Sequence, residues 1–409
     1  MRKMNKRGSV TVLAAMLLVT LITVIMTFVH ASKMLAVRGV TAEAGLLWCE
    51  SVLGEYDLNL RNRYGLFGFY GVESDISGKI DAYARRSFAD KRYIRYEGSS
   101  CELYEYSLAS VRNFREQAVK TGKLIAAGVV RAPDCGIRAA ASGDAPADGE
   151  AVLQELPSEG MREGMRLPSL KQLGRGEKEN PVKRGSDRYF EDRYIQTFFR
   201  DLLEEEETNP VYFRGEVEYI LAGKKSDREN QRTVKRALMT MRTALNLTYI
   251  LKEPEMKAKT AAAAALLAPE AQPAMQKAVE TAWAAAEAWN DCQLLQHGKK
   301  VPWMKDRKSW ATDLESVIRS FSVEKGKSSL KKRTPYVDPG NADGPDYRGY
   351  LAVLLYAMNR EVKLMRAMDL IQINMRRCYY GSFRIRDYSC GLDAELKING
   401  SRVHVRKTY

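Results

Sequence analysis

The sequence predicts an α+β protein: a single N-terminal transmembrane helix that continues as a long helix outside the membrane, a largely helical exported head, and a C-terminal β-hairpin. Three observations carry this. One stretch, Ser9 to Val29, is apolar and free of charge. Helical patterning then continues without a proline from Ala31 to Arg63. Near the C-terminus, after a run of helical periodicity, the pattern changes to alternation with period two.

The apolar run is rich in Leu, Val, Ile and Met, and at 1.5 Å per residue it spans about 30 Å, the thickness of a bilayer's hydrocarbon core. Thr11, Thr20, Thr23 and Thr27 can return their hydroxyls to the helix backbone, so they cost little there. Arg2, Lys3, Lys6 and Arg7 precede the run, while Lys33 and Arg38 are the only bases close behind it. The positive-inside rule therefore predicts a cytoplasmic N-terminus and an extracellular C-terminal region. A cleaved signal peptide has the same basic start, but its apolar core is shorter, about 7–15 residues. No small-x-small site ends this one, since bulky His30 separates Val29 from Ala31.

Beyond the membrane, Leu35, Ala42, Leu46, Cys49 and Leu53 recur at helical spacing, which predicts an apolar stripe. A helix from Ser9 to about Arg61 would be roughly 80 Å long. Half in lipid and half docked on a globular head, it would have the physical design of a pilin.

Several segments carry a resemblance. Lys6-Arg7-Gly8-Ser9-Val10-Thr11-Val12, at the entrance to the anchor, resembles the start of TadE/TadG-like proteins of Tad (Flp-type) pilus systems. Ser51 to Tyr56 with Arg63 to Phe67, then Glu216 to Lys224, Gly298 to Pro302 and Met368 to Met375, are similar to an uncharacterised subgroup of membrane-anchored proteins of Gram-positive bacteria. The resemblance implies a pilin-like accessory subunit, with other pilus or secretion subunits as partners. Prepilins cut by a prepilin peptidase carry Gly at the cut and Glu five residues later. Here Gly8-Ser9 is the candidate processing site, but Leu13 stands where the acid belongs, which argues against cleavage and bulk polymerisation.

In order, the chain is predicted to hold a basic cytoplasmic tail (1–8), the transmembrane helix (9–31, its anchor running from Ser9 to Val29), the helix outside the membrane (32–66), and a mixed α/β segment (67–133). A flexible linker (134–187), a helical domain (188–377) and the C-terminal hairpin (378–409) follow. In the mixed segment, Lys79 to Ala89 suggests a helix. Tyr93 to Leu108 alternates like a strand, with Tyr104 and Tyr106 on one face, and Ser110 caps a helix through Ala127. Pro146, Pro157, Pro168 and Pro181 interrupt the linker, which is rich in Gly, Ser and charge. The helical domain is predicted from Tyr189–Glu206, Gly215–Ala222, Arg228–Leu251, Ala261–Ala268, Ala274–Leu295, Leu314–Phe321 and Asp346–Arg377, with a basic loop at Lys325–Arg333. Leu351, Leu354, Leu355, Met358 and Val362 form the stripe of the last helix. Tyr379–Tyr388 and Ala394–Val405 read as two strands around Ser389 to Asp393, able to pair with strands that precede the linker.

Signatures of catalysis are scarce. His30, His297 and His404 are far apart and form no HExxH, and there is no GxSxG, Walker A or GxGxxG motif. Asp338, Asn341, Asp343 and Asp346 crowd one loop, but Pro339 and Tyr350 break the EF-hand spacing, so turn formation and capping account for them. Glu216 and Glu218, beside Tyr219, invite an acid–base reading, yet a glycosidase needs two carboxyls across a cleft. A structural role is expected instead, with salt bridges to Arg242 or Arg366. Asp369 and Gln372 are expected to form a buried polar network with Arg366. Trp283, Trp289, Trp303 and Trp310 suit core or helix-end packing. No cofactor, metal or enzymatic activity is predicted.

The net charge of +14 and pI near 9.3 favour anionic surroundings, including the lipid bilayer surface and anionic cell-wall polymers. Basic residues are interleaved with acids and no arginine-rich tract or nucleic-acid motif occurs, so nucleic acid is not an expected partner. Cys49, Cys101, Cys135, Cys292, Cys378 and Cys390 include no CxxC. They leave buried thiols and disulfides equally open, Cys378–Cys390 being one possible pair. The functional expectation is a non-enzymatic, membrane-anchored pilin-like protein. The alternatives are a surface-anchored enzyme or sensor acting on cell-wall polymer, and a general envelope scaffold.

Overall fold

The computed structural model describes residues 6–130, 149–159, 181–204, 212–323, 336–340 and 343–409. The chain divides into two compact units. Unit 1 comprises residues up to Arg61, then Leu66–Asn113 and Arg384–Tyr409, and unit 2 comprises Asn62–Gly65 and Phe114–Phe383.

The first element is one uninterrupted helix, α1 (Lys6–Leu53), of 48 residues, about 72 Å at 1.5 Å per residue. Its apolar first part is exposed on every side, from Val12 through Val29. The hydroxyls of Thr20, Thr23 and Thr27 bond back to Leu17 O, Val19 O and Thr23 O. Past the apolar run one face becomes buried, at Val37, Thr41, Gly45, Trp48, Cys49, Val52 and Leu53. The expected stripe is thus correct at Cys49 and Leu53 and rotated elsewhere. Leu35 is 68% exposed and Leu46 38%, because small residues, not leucines, let the helix approach the sheet. Gly45 shows this: a Cβ there would lie 2.7 Å from Leu396 Cδ1 and 2.9 Å from Val405 Cγ2.

After α2 (Leu58–Tyr64), β1 (Phe69–Tyr70) and α3 (Glu73–Phe88) comes β2 (Tyr96–Glu102), and then α4 (Val111–Ala126). The next helices are α5 (Pro181–Phe198), α6 (Glu216–Ala222), α7 (Asp227–Lys252), α8 (Pro254–Leu267), α9 (Gln272–Gln296), α10 (Leu314–Val323), α11 (Tyr347–Ala357) and α12 (Arg360–Cys378). Strands β3 (Tyr388–Ser389), β4 (Gly391–Ile398) and β5 (Ser401–Thr408) complete the fold. The mixture is α+β and mostly helical.

In unit 1, β2, β4 and β5 form an antiparallel sheet in the order β2-β4-β5, and β1 pairs with β3. The C-terminal hairpin therefore does pair with strands from before residue 134. Leu392, Ala394, Leu396 and Ile398 alternate inward along β4 and share a core with α1, Ile76, Ile80 and Ala84 of α3, and Cys101 of β2. The hairpin itself lies further along the chain than expected. Its turn is Asn399-Gly400, with φ of 49° and 73°, the left-handed pair of a type I′ turn. Asn399 also accepts from Arg95 N (2.7 Å) and donates to Tyr93 O (3.0 Å), which ties the turn to the start of β2. Tyr379–Tyr388 is not a strand beyond Tyr388. Nor do Tyr104 and Tyr106 share a face, since they sit in a short 3₁₀ turn with Tyr104 90% exposed and Tyr106 buried.

In unit 2, α7 and α9 pack side by side with α8 against them. Ile250, Met256, Val279, Trp283, Leu314 and Val317 form an apolar cluster there. Trp283 and Trp310 meet edge to face at 5.3 Å, and both indoles donate to Thr312 O. Trp303 meets the Tyr350 ring at a tilt, 4.4 Å between centroids, and remains 37% exposed. The single helix expected at Asp346–Arg377 is two, because Asn359 accepts from Glu361 N and Val362 N and starts a new helix. The predicted stripe residues around the break are all buried.

Much of the predicted linker, and the basic loop at Lys325–Arg333, lie outside the described residues, as do Asn341 and Cys135. Within the linker span, however, residues 149–159 are docked on α12, and 181–187 already belong to α5. Cys49, Cys101, Cys292, Cys378 and Cys390 all carry thiols. The suggested Cys378–Cys390 disulfide is not formed, and these two residues belong to different units. Burial pushes the thiols of Cys49 and Cys292 up to about 12, far from reactive.

Candidate functional site

Two features stand out: the apolar part of α1, and a set of polar groups buried in unit 2. Among the described residues α1 is the one helix long and apolar enough to cross a membrane. That suits it to a membrane anchor, although a signal sequence has the same character. Gly8 and Ser9 lie in the first turns of α1, at the entrance to its apolar stretch.

The second feature is built on α6. This short helix is buried along its whole length, including Glu216 and Glu218. It ends at Gly223, whose φ of 64° only glycine adopts freely. The same glycine leaves room for Arg366, since a Cβ would lie 2.5 Å from its Nε. Arg366 donates through Nη1 to Ile220 O (2.9 Å) and Leu221 O (2.8 Å), so a cation meets the negative end of the α6 dipole. The expected salt bridges from Glu216 and Glu218 to Arg242 or Arg366 are therefore replaced by other partners. Glu216 accepts from Arg200 N (3.0 Å) and from Asn374 Nδ2 (2.5 Å). Glu218 Oε1 accepts from Leu202 N (3.2 Å) and from the Tyr347 hydroxyl (2.8 Å), while Oε2 is buried and makes no hydrogen bond.

These carboxylates sit where the charged form is poorly solvated. Burial raises Glu216 above its ordinary value and pushes Glu218 up to about 7. Asp369, on α12, is pushed up to about 6 by the same cause. It accepts from Ser158 N (2.9 Å) and the Ser158 hydroxyl, and from Tyr219 OH (3.0 Å). Gln372 donates to Glu155 O (2.8 Å). Asp369 and Gln372, expected to bond with Arg366, hydrogen-bond to Ser158 and Glu155 of the 149–159 segment and to Tyr219.

A second network went unforeseen. Arg242 is fully buried and paired with Asp291 at 2.9 Å, with no exposure on either side chain. It also donates to Pro302 O, Trp303 O, Tyr350 OH and Asn246 Oδ1. Lys305 lies 2.7 Å from both Glu287 and Asp291, and Glu287 accepts from Ala311 N and Thr312 N. Two cations and two anions balance, and they fasten the loop after α9 to α7 and α9. The signal was present in the sequence. Val234, Leu238, Arg242, Asn246 and Ile250 follow one another at i+4, so polar residues occupy an otherwise apolar stripe.

The other candidates for chemistry each have local partners. His297 contacts Gln293 O and lies tilted against the Tyr336 ring in unit 2, whereas His404 lies beside Glu395 on the hairpin of unit 1. Asp338 accepts from Gly340 N and pairs with Lys299, and Asp346 caps α11 through Gly349 N. Among the described residues no group of three or more His, Cys, Asp or Glu is arranged to hold a metal.

The region containing both networks, from the 149–159 segment to β4, is the part that classifies the chain. A model of a family of unknown function, DUF5702, matches residues 145–400. The chain belongs to this family. The DUF5702 match takes in all of α5 to α12 and stops within the C-terminal hairpin, leaving α1 and β2 outside it. No curated protein and no solved structure matches the chain.

Proposed function

We propose that this DUF5702 protein is a non-enzymatic, single-pass, pilin-like accessory protein of a Tad-type pilus or secretion apparatus. Its N-terminus is cytoplasmic and its head extracellular. The observation that carries the proposal is the two-part character of α1. One unbroken helix is apolar and exposed on all sides in its first part, and buries a single face against a β-sheet in its second. Such a helix transmits position and force between lipid and head without a hinge, since no Pro or unwound turn interrupts it. The basic residues before the apolar run and the likeness of its entrance to TadE/TadG-like proteins support the orientation and the apparatus.

The buried carboxylates support a structural rather than catalytic role. Glu216, Glu218 and Asp369 are 0–3% exposed and are occupied by backbone amides and neighbouring hydroxyls. A wall-polymer hydrolase would need two such groups open to substrate. In the proposed mechanism α1 holds the protein in the bilayer or at the base of a fibre, and the head contacts other subunits or anionic wall polymer. With Leu13 in place of an acid, retention in the membrane is expected over cleavage at Gly8-Ser9.

The test is genetic and biochemical. Deleting the assembly ATPase of the Tad-type apparatus should abolish the protein's appearance in sheared surface fractions. Unchanged shedding would leave only a general envelope scaffold. Intact-mass measurement of protein taken from membranes should show an unprocessed N-terminus, and protease added to intact cells should degrade the head.

A further inference from the structure

The outer side of α7 is charged in a way that the packing of unit 2 does not require. Val234, Leu238, Arg242, Asn246 and Ile250 face inward and are buried. On the opposite side Arg228, Arg232 and Arg236 are all exposed. They recur at i+4, so they form one row with a step of about 6 Å along the helix. Lys224 and Lys225, in the turn before α7, are exposed at the head of this row. None of the three arginines forms an ion pair with a described residue. Asp227 does not offset them, because its carboxylate accepts from Arg214 N (3.1 Å) and Gly215 N (3.4 Å). Glu229 is the exposed acid that stays beside the row.

The arrangement works against the helix that carries it. Like charges at i and i+4 repel, and Arg228 stands in the first turn, where the helix dipole disfavours a cation. Elsewhere in unit 2 the same spacing joins opposite charges: Lys259 pairs with Glu255, and Arg319 with Glu315. A row of cations without such acids is relieved by an anion that spans it. Each arginine also presents a rigid fork, which holds a phosphate or carboxylate through two hydrogen bonds.

Regular forks suit a linear polyanion, since each charge neutralised along it releases a counterion. In a phosphodiester polymer the charge lies in the backbone, so successive charges keep a regular spacing. The side-chain carboxylates of an extended acidic peptide alternate between faces instead. Single-stranded nucleic acid is held by stacking its bases on aromatic side chains. The exposed positions around the row are Lys225, Glu229, Thr240 and Ala244, none of them aromatic. A polymer of phosphates joined by short polyols has no base to stack and matches the row.

We infer that Arg228, Arg232 and Arg236, with Lys224 and Lys225, form a docking surface for a linear polyol phosphate polymer. The encounter with such a polymer rests on the extracellular reading of the head given above, whereas the row itself does not.

The test is fluorescence anisotropy of a labelled oligo(glycerol phosphate), titrated with full-length protein in phosphatidylcholine nanodiscs. Changing Arg228→Gln, Arg232→Gln and Arg236→Gln together should weaken binding about tenfold or more, and lower the slope of log affinity against log salt by about 2. All three side chains are exposed, so the urea midpoint should not fall. Changing Arg85→Gln, Arg86→Gln and Arg92→Gln removes as much charge from exposed positions of unit 1. That variant should lose less than about twofold, because non-specific attraction is shared over the whole surface. Equal losses from the two variants would reduce the effect to overall charge and overturn the site, as would no binding at low salt. Poly-glutamate of equal charge should bind more weakly, and equal binding would assign the row to an acidic protein. An oligothymidylate of equal charge should bind no more tightly, and tighter binding would assign it to nucleic acid. Soluble short-chain phosphatidylglycerol at matched phosphate should displace little of the oligomer; full displacement would assign the row to lipid headgroups. The assay is independent of topology, so its failure would leave the anchored, extracellular reading intact, and protease treatment of intact cells decides that reading separately.

Discussion

The two units differ in how much charge they bury. In unit 1 the ion pairs decorate the outside: Lys407–Glu50, Arg406–Asp393 and Lys79–Glu55 have side chains 22–66% exposed. Its interior is apolar, with a helix laid on a sheet. Unit 2 has exposed pairs as well, among them Arg319–Glu315 and Lys299–Asp338, but it also holds pairs inside. Arg242–Asp291 and Lys305–Glu287 are essentially unexposed, and Lys363–Asp192 nearly so. Exposed pairs contribute about 0–1 kcal/mol. Buried pairs add little net stability over apolar packing, yet losing one partner costs about 3–5 kcal/mol. Unit 1 is therefore held by area removed from water, and unit 2 is made specific by partners that must all be present.

The widest separation between the units should appear in the apolar part of α1, the proposed anchor, which belongs to unit 1 alone. Leu18→Arg combined with Ile22→Arg should cost about 5–7 kcal/mol of membrane insertion, at roughly 2.5–3.5 per arginine. Fractionation should then find the protein outside the membrane pellet, and continued membrane retention would contradict the assignment. In unit 2, Arg242→Met strands Asp291 beside Lys305 and should lower stability by about 3–5 kcal/mol in urea unfolding followed by tryptophan fluorescence. A loss below about 1 kcal/mol would mean that the network is dispensable.

Protonation separates the units further. Glu218 binds its proton more tightly folded, at about 7, than unfolded, at its ordinary 4.5. Stability is fully present below about pH 4.5 and is lost as pH rises through 7, by up to about 3 kcal/mol at 1.36 per unit. Asp369, raised to about 6, adds in the same direction from pH 3.8 upward. Glu218→Gln should flatten the dependence and stabilise unit 2 above pH 7, read as a shift in urea midpoint between pH 5 and 8. An unchanged profile would show that Glu218 titrates normally. Smaller still, Gly45→Val should cost about 1–3 kcal/mol by overpacking α1 against Leu396 and Val405, seen as faster hydrogen exchange in β4 and β5. The smallest effect is expected from Lys407→Ala, under about 1 kcal/mol and further reduced by salt.

Legibility followed the same division. The long N-terminal helix with its apolar stretch, the C-terminal hairpin and most helices of unit 2 could be read because each is announced by a local period. The hairpin's turn was misplaced although Asn399-Gly400 is a strong local signal, because alternation on either side of Ser389 competed with it. Asn359 divided a helix by capping, where no Gly or Pro warned of a break. The stripe on α1 was rotated because hydrophobicity does not say where a glycine will let a sheet come close.

The sequence by itself determined what each segment is: which stretch is apolar enough for a bilayer, which segments are helical, and that Glu216, Glu218, Asp369 and Gln372 break apolar surroundings. Hydrophobic period and turn chemistry act over a few residues, so they are written locally. Only the tertiary structure decided whom those residues meet. Asp369 bonds Ser158 more than two hundred residues away, and Arg242 finds Asp291 across two helices. Such pairing depends on how helices are docked, and a buried charge accepts any partner that the docking brings within reach.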